Sequence, residues 1–333
     1  MNIRQRLNSI SILTITVSLF VIMFLLGIIQ YGFGASTFLN LFNDNAYLII
    51  ATTGIFFVLV IGGIDISIGS TVAFTCVFSA WMLQQGYGPG IVIPLVLAAG
   101  IVFGLLQGYL IVRFALQPFI VTLAGQFFMR ALCAIISNAA IAIKDPFYIK
   151  IALAKFRFRL WGQNAKIYYY AVLALAVVLL AAFLLKSTKA GRTFYAVGGN
   201  EQSAVLMGLP VRRIKIIAYG ISSFCAALGG VIYSLYTLAG YSLQNVGLEL
   251  DAISSAVIGG TLLTGGVGSV FGATIGVLIQ GLIQTVVTYQ NLNTWWTKVT
   301  VAALLCLFII FQRFMTMNTA RIKQNQLIKA ARV

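Results

Sequence analysis

The feature that most constrains this chain is the length of its apolar runs. From near residue 10 to residue 313, stretches of mostly about 20 apolar residues follow one another with few charges inside them. A backbone in hydrocarbon has no water to bond, so each run must satisfy its own N–H and C=O groups, as a helix or within a closed barrel. The runs are continuous rather than alternating in polarity, which excludes barrel strands. With 60% hydrophobic residues and a mean hydropathy of +1.00, the chain carries more apolar surface than a soluble core of 333 residues covers, so lipid is its solvent. The expected fold class is all-α, a polytopic membrane helix bundle forming one transmembrane domain over 1–333.

Runs bounded by polar, Pro or Gly clusters fall at 10–30, 46–62, 66–84, 90–112, 118–139, 167–186, 214–238, 252–264, 268–290 and 295–313. That predicts about ten spans. The eighth is too short for a hydrocarbon core of about 30 Å and is expected to be a broken or re-entrant helix. Arg4 and Arg6 precede the first run, whose length exceeds a signal-peptide core, so that helix is expected to be retained.

A formal net charge of +16 would suggest nucleic acid for a soluble protein. Here the basic residues sit between and beyond the runs, where they report topology, and no nucleic-acid partner is expected. Their clusters place the N-terminus 1–9, the loop 187–213 and the tail 314–333 in the cytoplasm, with ten crossings returning the chain to its starting side. One segment breaks the rule. Residues 144–166 carry Lys144, Lys150, Lys155, Arg157, Arg159 and Lys166 against Asp145 alone, yet the span count puts them outside. Cys76, Cys133, Cys225 and Cys306 lie inside apolar runs without metal-type spacing and read as packing residues, so no metal site is expected.

Gly100, Gly104 and Gly108 form one small-residue ladder and Gly268, Gly272 and Gly276 another, each allowing close helix approach. Two glycine-dense stretches, 62–70 and 259–269, break helices within the apolar region, and both begin Val-Ile-Gly-Gly, at Val60 and Val257. Unwound backbone at membrane depth is tolerated where protein or a water-filled path surrounds it, so the breaks point to a translocation route. Three of the chain's six acidic residues, Asp65, Glu249 and Asp251, lie beside them. With Ser67, Thr261 and the in-span Arg130 they are the candidate path residues. Asp251 also stands where a helix N-cap would.

The loop 187–213 is of another kind. Asn200 is a plausible cap and Gly208-Leu209-Pro210 a stop, which predicts a short surface helix carrying Glu201, Ala204 and Met207. Its Ala204, Val205, Leu206 and Met207 are unexpected on a plain connector and suit docking into a cytoplasmic partner.

At these residues the chain resembles a known family. The stretch from Gly247 to Gly276, with Gly62 to Ser70, Pro118 to Gly125 and the Gly198 to Pro210 loop, is similar in order to the ribose-type sugar permeases of ABC importers over about residues 40–313. Gly281-Leu282-Ile283-Gln284-Thr285 and Trp295-Trp296-Thr297-Lys298 resemble, within that family, one of the two permeases of a galactofuranose importer. The resemblance implies a fold similar to the vitamin B12-type importer permeases and pairing with a second, identical or related, permease chain. It also implies a periplasmic sugar-binding protein outside, and a cytoplasmic ATPase docked on 198–210, in a bacterial inner membrane.

No Gly-x-x-x-x-Gly-Lys-Ser/Thr loop occurs, so ATP and magnesium are expected on the partner ATPase and no cofactor on this chain. An ion-coupled secondary transporter of a small solute would share the broken helices but would need no docking loop. A channel would line its pore with polar rings, which are lacking. An intramembrane enzyme would need a catalytic set, and the chain has no histidine.

Overall fold

A computed structural model describes residues 3–160 and 163–310 of the chain. The predicted cytoplasmic tail 314–333 lies outside them, as do the first two residues of the N-terminal segment. In order the elements are α1 (Ile3–Tyr31), α2 (Ala35–Asp44), α3 (Ala46–Val60), α4 (Ile68–Gln84), α5 (Pro89–Arg113) and α6 (Pro118–Ile136). Then come β1 (Ile141–Ala142), α7 (Pro146–Leu153), β2 (Lys155–Leu160), β3 (Gln163–Tyr168), α8 (Tyr169–Ser187), α9 (Lys189–Gly199) and α10 (Glu201–Leu206). The chain continues through α11 (Val211–Thr237), β4 (Ala239–Gly240), α12 (Leu248–Ile258), α13 (Val270–Tyr289) and α14 (Trp295–Ile310).

Each expected run coincides with a helix. Six of them, α1, α5, α6, α8, α11 and α13, are long and apolar enough to cross a membrane. The pair α2 and α3, bent by 56°, makes a seventh if it is one span. The short apolar helices α4 and α14, together with α12, account for the difference from ten. At 1.5 Å per residue the 11 residues of α12 reach about 16 Å, roughly half a hydrocarbon core.

Local chemistry sets the ends. Pro89 and Pro118 open α5 and α6, where a missing N–H costs nothing. Asp145 caps α7 by accepting from Tyr148 N at 2.7 Å. The two Val-Ile-Gly-Gly stretches end α3 and α12 in the same way, offset by one residue. Gly62 N donates to Leu59 O and Gly63 N to Val58 O, while Gly260 N donates to Val257 O and Thr261 N to Ala256 O. Gly62 and Gly260 carry the positive φ of 77° and 92° that this stop requires.

The centre is α3 and α11. All of α3 except Tyr47 is buried, as befits a helix apolar all round. Against α3, α4 and α5 packs α11, and the first ladder explains how closely. A methyl group on Gly100, Gly104 or Gly108 would lie 2.5 Å from Ala227 Cβ, 2.3 Å from Tyr219 O or 2.8 Å from Ile216 Cα. In the second ladder Gly272 and Gly276 press in the same manner on Gly259 and Ser255 of α12. Gly268 does not belong to it: it precedes α13 at φ 153°, in a turn against Phe56 and Thr261. Outward faces of α1, α5, α6 and α8 expose large side chains such as Ile29, Leu106, Phe127 and Phe183, the surface lipid covers.

Residues 144–160 and 163–166, in a segment expected as a loop, are folded. They form α7 and the antiparallel hairpin β2–β3, which lies on α2. The hairpin leads directly into α8, and α8 into α9 and α10. The two basic clusters therefore sit at opposite ends of one 19-residue apolar helix that is long enough to cross a membrane. In a chain stripped of its four cysteines, Asn164→Cys and Ser203→Cys are expected to react with an impermeant maleimide from opposite membrane faces. Labelling of both from one side of intact cells would break this arrangement.

Candidate functional site

After α3 stops at Gly62, the chain runs unwound to Ser67 before α4 begins. Asp65 sits in this gap, fully buried. Its Oδ1 accepts from Ser67 N at 3.0 Å and Ser67 Oγ at 2.7 Å, and its Oδ2 accepts from Ser222 Oγ of α11 at 2.7 Å. Hydrogen bonds to a charged group contribute about 1.5–3 kcal/mol each, so three offset much of the several-kcal/mol cost of withdrawing a carboxylate from water. Ser67 Oγ also lies 3.1 Å from Gln107 Oε1 on α5, tying the break to a third helix.

Two residues further along, Gly69 lies against a second cluster, because only a hydrogen there leaves room for the Glu249 carboxylate. Glu249 is buried in the first turn of α12 and its Oε1 accepts from Gln126 Nε2 of α6 at 3.0 Å. One turn on, Arg130 interacts electrostatically with Glu249 and donates through Nη1 to Ser242 O and Gln244 O at 2.9 and 2.7 Å. Four buried polar atoms of this seam have no hydrogen-bond partner among the described residues: Gln107 Nε2, Arg130 Nη2, Asn245 Nδ2 and Glu249 Oε2. Buried polar atoms are ordinarily paired, so the seam retains hydrogen-bonding capacity for a polar solute.

The two breaks meet each other and the end of α9, which leads into the predicted surface helix. Gly266 N donates to Val60 O at 2.8 Å, joining the turn after α12 to the end of α3. The end of α9 inserts at the same point. A methyl group on Gly198 would stand 1.7 Å from Val60 O, one on Gly265 2.7 Å from Gly62 N, and one on Gly266 2.7 Å from Gly199 Cα. Backbone touches backbone among three segments, and α10 begins directly beyond at Glu201. Asn200 caps α10 by accepting from Ser203 N at 2.8 Å, Lys215 Nζ reaches Glu201 Oε1 at 2.6 Å, and Ala204 is buried beneath. Gly208, at φ 71°, ends the helix as anticipated. Its outer face presents Val205, Leu206 and Met207, with Leu206 88% exposed.

Residues 37–309 match the family model described as branched-chain amino acid transport system / permease component. The chain belongs to this permease family. It is 44% identical over 308 residues to the inner membrane ABC transporter permease protein YjfF of Escherichia coli, covering 91% of this chain and 92% of that one. It is 35% identical over 306 residues to the fructose import permease protein FruG of Bifidobacterium longum, covering 89% of each. To the ribose import permease protein RbsC of Haemophilus influenzae it is 28% identical over 288 residues, covering 85% of this chain and 87% of that one. No solved structure matches. Family and relatives are transport permeases, in line with a transport subunit rather than an enzyme.

In the permease, the six candidate path residues fall into separate places. Asp65 and Ser67 share one cluster and Arg130 and Glu249 the next. Thr261 is buried against the turn at Gly268, its Oγ1 without a hydrogen-bond partner among the described residues. Asp251 stands apart: Lys298 Nζ of α14 donates to both its carboxylate oxygens, at 2.8 and 2.6 Å. It is not the cap of α12, which starts three residues earlier after Gly247. Gln107, Gln126 and Ser222 join these clusters without being among the residues the sequence pointed to. For the two glutamines the signal was present, as polar side chains inside apolar runs, Gln126 one helical turn from Arg130.

Gly198→Val is expected to abolish transport, because its side chain has only backbone to displace, whereas Gly199→Ala, with open space around it, is expected to be tolerated. Equal uptake by the two variants at equal membrane levels would remove the contact's importance.

Proposed function

We propose that this chain is the permease subunit of an ATP-driven sugar importer and forms the translocation path for a monosaccharide. The observation that carries the reading is the meeting of the α9–α10 connection with both helix breaks. A push on α10 reaches the end of α3 through Gly198 and the turn after α12 through Gly266, and thus moves the segments that hold Asp65 and Glu249. The motor is a separate cytoplasmic ATPase, holding ATP and magnesium, docked on the exposed Val205, Leu206 and Met207. A secondary transporter has no use for that face.

The unpartnered polar atoms between α4, α6 and α12 suit a solute rich in hydroxyl groups. Relatives named for fructose and ribose import support a sugar. Galactofuranose is the substrate we favour, on the stretches 281–285 and 295–298. Lys298 of the second stretch and Gln280, the residue before the first, meet at Asp251, whose backbone oxygen accepts from Gln280 Nε2 at 3.1 Å while its carboxylate holds Lys298. The remaining parts of the proposal are a second permease chain, a periplasmic sugar-binding protein and both termini in the cytoplasm. In that arrangement α4, α14 and the broken span begun by α12 also cross, giving about ten spans in a fold similar to the vitamin B12-type permeases.

Deleting Glu201 to Met207 is expected to abolish ATP-dependent uptake while leaving membrane level unchanged; uptake that survives defeats the coupling role. Calorimetry on the cognate binding protein is expected to give tight binding of galactofuranose and weak binding of ribose, and the reverse order would move the substrate to ribose.

A further inference from the structure

The basic segment 144–166 plays no part in coupling or in the polar seam. Its hairpin is two-faced. Cross-strand partners put Phe156 and Phe158 with Ile167 and Ala165 on one face, and Lys155, Arg157 and Arg159 with Tyr168, Lys166 and Asn164 on the other. A cleft of about 670 Å³ is bounded by Ser36 and Asn40 of α2 and by the hairpin, whose basic residues Lys155, Arg157, Arg159 and Lys166 line it beside Phe158 and Ala165. Asn43 anchors the hairpin there, donating to Lys166 O and accepting from Tyr168 N, both at 3.1 Å.

Two features of this cleft call for an anion. Arg157 is directly opposite Lys166, an arrangement of like charges that destabilises a strand pair unless something negative lies between. Lys155 and Lys166 also share one aromatic ring, their Nζ atoms 5.4 and 5.8 Å from the centre of Tyr168, so three cations gather within a few residues. Asp44 interacts with Lys166 from the adjoining cavity and hydrogen-bonds Tyr236. Among the described residues no carboxylate forms an ion pair with Lys155 or Arg157. Asp145 is engaged as the cap of α7.

We propose that the cleft between α2 and the β2–β3 hairpin binds the phosphodiester headgroup of an anionic phospholipid in the leaflet opposite α10. The surroundings favour a lipid over a soluble acidic partner. Phe156 and Phe158 are 51% and 40% exposed beside the cations, and Phe156 packs on Tyr169 at the first residue of α8. Exposed aromatic rings at a span end, alternating with cations, match the chemistry of a headgroup and its upper acyl chain. The site also accounts for the basic segment on the wrong side of the membrane for the charge rule: an anionic headgroup supplies the negative charge that the chain omits.

The test uses the intact permease purified with its partner chains, delipidated, and titrated in native mass spectrometry. The probes are phosphatidylglycerol and phosphatidylcholine of identical acyl chains. Preference for phosphatidylglycerol is expected, and the double variant R157Q/K166Q is expected to weaken it roughly thirtyfold. The charge-keeping pair R157K/K166R is expected to retain it, which separates loss of charge from loss of fold. No preference in the native protein, or a preference unchanged in R157Q/K166Q, overturns the proposal. Displacement by inorganic phosphate would reassign the site to free phosphate. Unaltered lipid binding with lost association of the periplasmic binding protein would reassign it to an acidic protein surface.

Discussion

Everything in this permease depends on how it disposes of backbone polar groups where a helix stops inside an apolar bundle. Hydrocarbon offers them no partner, so an interrupted helix must find protein on the spot. Here the ends of α3 and α12 solve the problem twice over. Each closes on itself with a glycine at positive φ, and the turn after one then donates to the carbonyl at the end of the other. The glycines there do more than bend the chain. They remove the side chains that would hold the two breaks apart, and they admit α9 into the same point.

From that junction the polar interior follows. Unwinding between Gly62 and Ser67 exposes donors that would otherwise be spent within a helix, and Asp65 collects one of them together with two hydroxyls. The short α12 delivers Glu249 to α6 rather than to lipid, and Arg130 of α6 donates to loop carbonyls and interacts electrostatically with that carboxylate. Charges that would be costly at a lipid-facing position thus stand where other helices surround them.

Much of this was legible in the residues. The apolar runs located the helices, because length and continuity survive any tertiary arrangement. Asn200 and Gly208 marked α10 through capping chemistry that is local by nature. What escaped were features that depend on distant partners. The hairpin at 155–168 alternates basic and apolar residues and could not be told from a charged loop until α2 was known to lie beneath it. Asp251 has the sequence neighbours of a cap, but Lys298, 47 positions away, claims its carboxylate. Gly268 keeps the four-residue spacing of a ladder yet lies outside the helix, since spacing alone says nothing of where α13 begins.

The contact at Gly198 also has a mechanical character. Side chains in a packed interface can change rotamer and absorb small displacements, whereas main chain resting on main chain has no such slack. On the proposed coupling role, motion entering at α10 would reach both breaks with little loss. The same stiffness leaves the junction almost no room for sequence variation. Adjusting this permease to a different motor would have to happen on the outer face of α10, where Val205, Leu206 and Met207 can change without disturbing the glycines behind them.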